Sequence, residues 1–435
     1  MALGGGTFTV QNKELPGAYI NFISAASANA ALSDRGIATM PLELDWGADG
    51  EVFEVTNEDF LKNSLEIFGY EYSHEKLKGL RDLFLNAKTL YAYKLNSGGE
   101  KAGNSLAAAV HGGTRGNDIK IVVRKNVDDE RLLDVKTLLG NMEVDEQTVE
   151  NAEELKDNGF VKWKKGVTLE LTAGAPLEGG TNGDITGAAH QAYLDKIESF
   201  TFNTMGAAVT DEVTKSLYVS YNKRMRDEMG IKFQLVLYRC AADYYGTVSV
   251  KNKVLDEGWS EASLVYWATG AEAGCEVNRS CQNKIYSGGF EVETNYTQTE
   301  LKNAVKSGEF VLHKVGKDIR VLDDINTMVT VSDTQGEVFK DNQTVRVIDQ
   351  IANDIAVLFN TKYLGVVPND NAGRVSLWSD IVKHHEELQE IRAIEDFSDA
   401  DVTVTEGNTK KSVVVTDYVT VVNAMGKLYM TVTVA

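Results

Sequence analysis

The last 24 residues of the chain, Ser412 to Ala435, hold eight valines and four threonines, and only two of their side chains are charged. Val413, Val414 and Val415, then Val419 and Val421, then Tyr429, Thr431, Val432 and Thr433 give this segment the β-branched and aromatic content of strands. Chain ends are normally polar and frayed. Unpaired strands here would present bare backbone donors and acceptors to any neighbour. Either they complete their own sheet or they pair with another chain. Thr7, Phe8, Thr9 and Val10 form a second short strand at the other end, between the glycines 4–6 and the turn Pro16-Gly17. Two strand-bearing arms suggest subunits that add strands to each other's sheets.

A chain of 435 residues is too long for one core and should hold about three domains. Its 43% hydrophobic and 25% charged residues are those of a soluble globular protein. A net charge of −20 opposes nucleic acid or an anionic membrane surface as a partner. No apolar run is long enough to span a bilayer, and the start lacks the regions of a signal peptide. Three cysteines make no disulfide framework, so a reducing cytoplasm is expected as the site of assembly.

The pattern predicts a multidomain chain of α/β and α+β parts. An arm over 1–22 precedes an α+β segment over 23–93, with a capping box at Thr56–Asp59 and a helical stripe Phe60, Leu61, Ser64, Leu65, Phe68. A small β domain is expected over 94–172, including a hairpin of 160–163 and 167–171 around Lys164-Lys165-Gly166. Helices then alternate with strands over 173–333. The run Lys232 to Tyr238 is almost continuously apolar, as a buried parallel strand should be. Two amphipathic helices open the last domain, 334–435, whose arm begins near 411.

No active site emerges. Gly179-Gly180-Thr181-Asn182-Gly183-Asp184 precedes a helix, but Asp184 stands where a phosphate loop needs a cation. His111-Gly112-Gly113 resembles an esterase oxyanion loop, yet no Gly-x-Ser-x-Gly elbow accompanies it. His384 and His385 are adjacent on a helix and are expected to face apart, with His385 in the core. Cys275 and Cys281 lack the partners of a zinc site. No catalytic residue, cofactor or metal is therefore assigned. Asp396, Asp399, Asp401 and Glu406 read as a solvated loop or as a docking surface for a basic partner.

Several segments, taken in order, resemble the contractile-tail sheath proteins of bacteriophages and phage-tail-like bacteriocins. They are Gly113 to Ile119, Leu177 to Gly183, Asp324-Ile325-Asn326-Thr327-Met328, and Arg346 to Ile351 with Asp354-Ile355, Tyr363-Leu364-Gly365 and Asn369. Gly4 to Phe8 and Pro16 to Tyr19 are similar to sheaths of low-GC Gram-positive phages. The resemblance implies a subtilisin-like but non-catalytic α/β domain, an inserted β-sandwich and an α+β C-terminal domain with strand-exchange arms. It also implies six-fold rings stacked as a helical tube around an inner tail tube protein, with baseplate and tail terminator proteins as further partners. The particle would be a virion tail or a bacteriocin, assembled in the host bacterial cytoplasm, with no nucleic acid or membrane bound by this chain. Contraction from a metastable state would drive the tube through a cell envelope. Glu386, Glu387, Glu390, Asp396 and Asp399 are the residues expected to face the tube. The rival readings are an α/β hydrolase with self-assembling arms and a static shell protein.

Overall fold

The computed structural model describes residues 32–434. Thr7 to Val10 and the N-terminal glycine motif lie outside them. The described chain forms two units, 35–346 with 423–434, and 32–34 with 347–422.

The first unit begins with β1 (Ile37–Leu42), β2 (Val52–Thr56), α1 (Asn57–Phe68), α2 (Lys78–Phe84) and β3 (Thr89–Lys94). Thr56 and Asp59 cap α1 reciprocally, as the sequence predicts, and Gly69 closes it in the left-handed region at φ 75°. Leu61, placed on the helical stripe, faces solvent, while Phe60, Ser64 and Phe68 are buried. The β insert follows with β4 (Ala107–Ala109), β5 (Ile119–Lys125), β6 (Leu133–Leu139), β7 (Met142–Val149), β8 (Val161–Trp163) and β9 (Thr172–Pro176). The chain then alternates α3 (Gly187–Ile197), β10 (Thr204–Ala207), α4 (Glu212–Lys223), β11 (Gln234–Tyr238), β12 (Thr247–Val250), α5 (Leu264–Gly274), α6 (Gln298–Lys306), β13 (Glu309–Phe310), β14 (Leu312–Val315) and β15 (Asp318–Val321).

Seven strands make the main sheet in the order β13-β12-β11-β10-β1-β3-β2, parallel except where β2 meets β3. Side chains alternate between its faces. Val236 and Tyr238 of β11 join Met40 and Leu42 in the core that α2 and α5 cover. Leu235 and Leu237 point the other way, to Tyr193, Leu194 and Tyr218 of α3 and α4. Apolar residues on both faces are what a parallel sheet between two helix layers requires.

The insert is a four-stranded antiparallel sheet, β7-β6-β5-β9, beside the ribbon β4-β8. Ile119, Ile121 and Val123 alternate inward to meet Trp46, Phe160 and Trp163. One expectation fails. Val161–Trp163 pairs with Ala107–Ala109, and 167–171 forms no strand. Asn158 Oδ1 accepts from the backbone N–H of Phe160 and Val161, and Asp157 accepts from that of Trp163, so this strand is fixed from its N-terminal side.

Helix α7 (Asn342–Leu358) starts in the first unit and carries the chain into the second, which continues with α8 (Asn371–Glu390), β16 (Ile394–Glu395), β17 (Val402–Glu406), β18 (Val413–Asp417) and β19 (Thr420–Val421). Leu377, Ile381, Val382 and Leu388 form the buried stripe of α8. Trp378 Nε1 donates to the Val402 carbonyl at 3.0 Å, fixing β17 against the helix.

Candidate functional site

The strand-coded C-terminus divides into two parts. Val413, Val414 and Val415 lie in β18, which pairs antiparallel with β17 of the same chain. Val421 lies in β19 opposite Ile394, and Val419 sits between the two strands. The turn into β18 is clipped by Asn369, whose Nδ2 donates to the carbonyls of Lys410 and Ser412. Beyond it, Ala424 N–H reaches Gln343 Oε1 at 2.9 Å. From there Tyr429, Thr431, Val432 and Thr433 are exposed and in no ladder among the described residues, with Tyr429 90% and Val434 89% accessible. β17–β18 and β16–β19 are each two-stranded, so every one of these strands pairs on one side only.

The acidic residues assigned to the tube do not converge. Glu386 and Asp399 line one shallow depression with Trp378 and Lys383. Asp396 lines another with Arg392 and Phe397. Glu390 is exposed and Glu387 half-buried.

The four short motifs meet in pairs. Asn117 Nδ2 donates to the Gly180 carbonyl at 2.8 Å, and Gly180 N–H donates back to Asn117 Oδ1 at 2.8 Å. Thr114 N–H donates to Asn182 Oδ1 at 3.0 Å. A Cβ on Gly113 would stand 2.0 Å from the Asp45 carbonyl oxygen, so only glycine permits this crossing of backbones. The later pair is charged. Arg346 Nη2 lies 2.6 Å from Glu272 Oε2 and 3.4 Å from Asp324 Oδ2, all fully buried. Asp324 also accepts from Ser280 Oγ, Cys281 N–H and Asn342 Nδ2. Burial alone would raise its carboxyl, but the Arg346 charge and these hydrogen bonds hold it below the usual range. Burial, with the Asp324 charge nearby, pushes Glu272 well above its usual range. Asn326 and Thr327 extend the knot to Phe339 and Tyr244. Nothing in the sequence around Glu272 signals this role.

Glu272, Cys281 and Asp324 are the trio among the described residues that could hold a metal ion. The Arg346 guanidinium already supplies the cation at that place. At the strand ends where the sheet order reverses, between β1 and β10, lies a groove of about 780 Å³. Ligands of open α/β sheets bind at such a point. Three of its polar side chains are otherwise engaged. His190 Nδ1 faces Tyr218 Oη, Asp45 takes Tyr70 and Lys76, and Asp211 caps α4. No serine among the lining residues is paired with a base.

His385 lies in the core as expected, but its ring and that of His384 do not face apart. Both are buried, and their Nδ1 atoms lie 3.3 Å apart. Contacts to Asp354 and Asp417 hold the two rings in a shared interior rather than on opposite faces.

Family models match nearly the whole described chain: a phage tail sheath domain III N-terminal region over 35–95, a β-sandwich domain over 87–182, a central domain over 183–327 and a C-terminal domain over 334–435. An uncharacterized Bacillus subtilis protein, YqbK, is 32% identical over 99% of this chain and 100% of its own length. The sheath tail protein of Desulfitobacterium hafniense superimposes with a TM-score of 0.80 at 34% identity, covering 93% of this chain and 96% of that one. The contracted helical sheath of the anti-feeding prophage shares the fold, with a TM-score of 0.55 at 12% identity over 97% and 99% of the two chains. The family models and the structural neighbours are those of structural sheath proteins and not of enzymes, and the chain belongs to the phage tail sheath protein family.

Proposed function

We propose that this chain is the repeating subunit of a contractile tail sheath. Subunits polymerise as six-membered rings stacked helically around an inner tail tube, in an extended state that is not the most stable one. A baseplate signal releases it to a shorter and wider state, and the new subunit contacts drive the tube through the bacterial envelope. The tail terminator caps the column, in a phage or in a headless bacteriocin. The modules of this motor are 23–93, 94–172, 173–333 with a subtilisin-like but non-catalytic sheet, and 334–435. The acidic residues Glu386, Glu387, Glu390, Asp396 and Asp399 are read as facing the tube.

One observation supports this above the others. The segment Met425 to Val434 is exposed, with aliphatic residues at every second position from Leu428, yet it has no backbone partner in its own chain among the described residues. Strands pairing on one side only offer a place for such a segment from a neighbour. Thr7 to Val10 would act likewise from the other end.

Electron microscopy of the full-length protein beside a version ending at Gly426 tests the reading. Hollow tubes of uniform diameter from the full chain, with folded monomers from the shortened one, are expected. Flat sheets would indicate a static shell, and tubes from both would remove the C-terminal arm from the mechanism.

A further inference from the structure

A line of buried titratable groups crosses the C-terminal unit. Ser33 Oγ donates to Asp354 Oδ1 at 2.6 Å, and Gln350 Nε2 donates to Asp354 Oδ2 at 2.8 Å. The same Oδ2 faces His384 Nε2 at 3.0 Å. His384 Nδ1 faces His385 Nδ1 at 3.3 Å, and His385 Nδ1 also faces the Ile381 carbonyl at 2.9 Å. Finally, His385 Nε2 lies 2.8 Å from Asp417 Oδ2, on β18. The path joins Ser33, helix α7, helix α8 and the strand from which the C-terminal arm departs.

Counting donors assigns the protons. A carbonyl oxygen only accepts, so His385 Nδ1 must carry a hydrogen. His384 Nδ1 therefore accepts, and His384 is the neutral tautomer that donates from Nε2 to Asp354. Asp417 keeps a quarter of its side chain in water, and as a carboxylate it would take a hydrogen from His385 Nε2 as well. Satisfying every one of these contacts at once requires His385 to donate from both nitrogens, so that the histidine pair would hold a single extra proton between two carboxylates. Asp354 from α7 and Asp417 from β18 are the charged groups in contact with the pair. Phe397, from the segment after α8, adds only its ring, and Ser33 and Gln350 are neutral.

We propose that Asp354, His384, His385 and Asp417 form a one-proton latch that fixes β18, the root of the C-terminal arm, to helices α7 and α8. Only its consequence for assembly rests on the sheath reading. If the pair loses its proton, His385 can donate from one nitrogen, and either Asp417 or the Ile381 and His384 acceptors are abandoned. If the pair gains a second proton, two N–H groups confront each other at Nδ1 and a further charge is buried. β18 is held most firmly when the pair carries exactly one extra proton, and more loosely on both sides.

Hydrogen exchange of the full-length protein from about pH 5 to about pH 9, the range in which histidine changes charge, reads this directly. Protection factors, corrected for intrinsic rates, are expected to trace a dome for the β18 amides, falling roughly tenfold or more on its flanks. Asp417→Asn should flatten the dome. A flat wild-type profile, or an unchanged dome in Asp417→Asn, would overturn the latch. Should the variant not fold, imidazole nitrogen shifts of the wild type decide. His385 doubly protonated and His384 in the Nε2–H form at the pH of greatest protection would support it, and a neutral His385 there would overturn it. Tube formation is scored separately, because a dome without tubes would sink the sheath reading and leave the latch standing.

Discussion

Arg346 and Glu272, 74 positions apart in the chain, hold each other at 2.6 Å with neither side chain exposed to water. The arginine belongs to the helix that leads out of the α/β unit, and the glutamate to α5 beneath its sheet. Arg346→Met would leave the Asp324 carboxylate buried without its counter-charge. Removing one partner of such a pair costs about 3–5 kcal/mol. Denaturant unfolding should show that loss, and Glu272→Gln, which leaves the Arg346–Asp324 contact in place, should lose much less.

Asn117 and Gly180 exchange two hydrogen bonds where the insert meets the main sheet. Asn117→Ala should leave both Gly180 backbone groups without partners, for about 1–3 kcal/mol. Gly180→Ala should also destabilise, because the new methyl would stand 2.6 Å from the Gly113 carbonyl oxygen. Thermal unfolding of each variant checks both, and Asp184→Ala, outside the clasp, serves as the unaffected control.

His111 lies edge-on to Trp46, and burial with the nearby Lys94 charge lowers its imidazole to about 4. The folded protein therefore resists a proton that the unfolded chain accepts near pH 6.5. Stability should be full above that value and should fall as pH drops from about 6.5 to about 4, levelling below. Replacing His111 with Asn should flatten this part of the stability profile, measured by denaturant midpoint against pH.

Ending the chain at Lys411 removes β18 and β19, whereas ending it at Gly426 removes only exposed residues. The shorter protein should lose the cooperative unfolding of its C-terminal unit. The longer should keep the far-ultraviolet circular dichroism and melting temperature of the full chain.

Local signals carried much of this fold. Thr56 with Asp59 announces its helix because both halves of a capping box lie within four residues. The two-faced burial of β11 is written in its unbroken apolar run. What stayed hidden depends on residues far apart. Val161–Trp163 chose Ala107–Ala109 over the adjacent 167–171, a decision made by the packing of Trp163 and Phe160 with Trp46. Glu272 looked like any helical glutamate until Arg346 and Asp324 arrived beside it. His384 and His385 were placed on separate faces by ideal helix geometry, which does not see the carboxylates drawing both rings inward. The clasped motifs were visible as signatures, but their pairing in space was not.

Laid out as a strand, the exposed C-terminal segment would set Leu428, Met430, Val432 and Val434 on one side and Tyr429, Thr431 and Thr433 on the other. A strand of this kind has a phase as well as a sequence. Sliding it by one residue against a neighbour exchanges the aliphatic row for the threonines, so acceptable dockings recur only at every second position. Errors in joining such subunits are therefore quantised at roughly 7 Å, two strand residues, a misfit coarse enough for a growing lattice to reject.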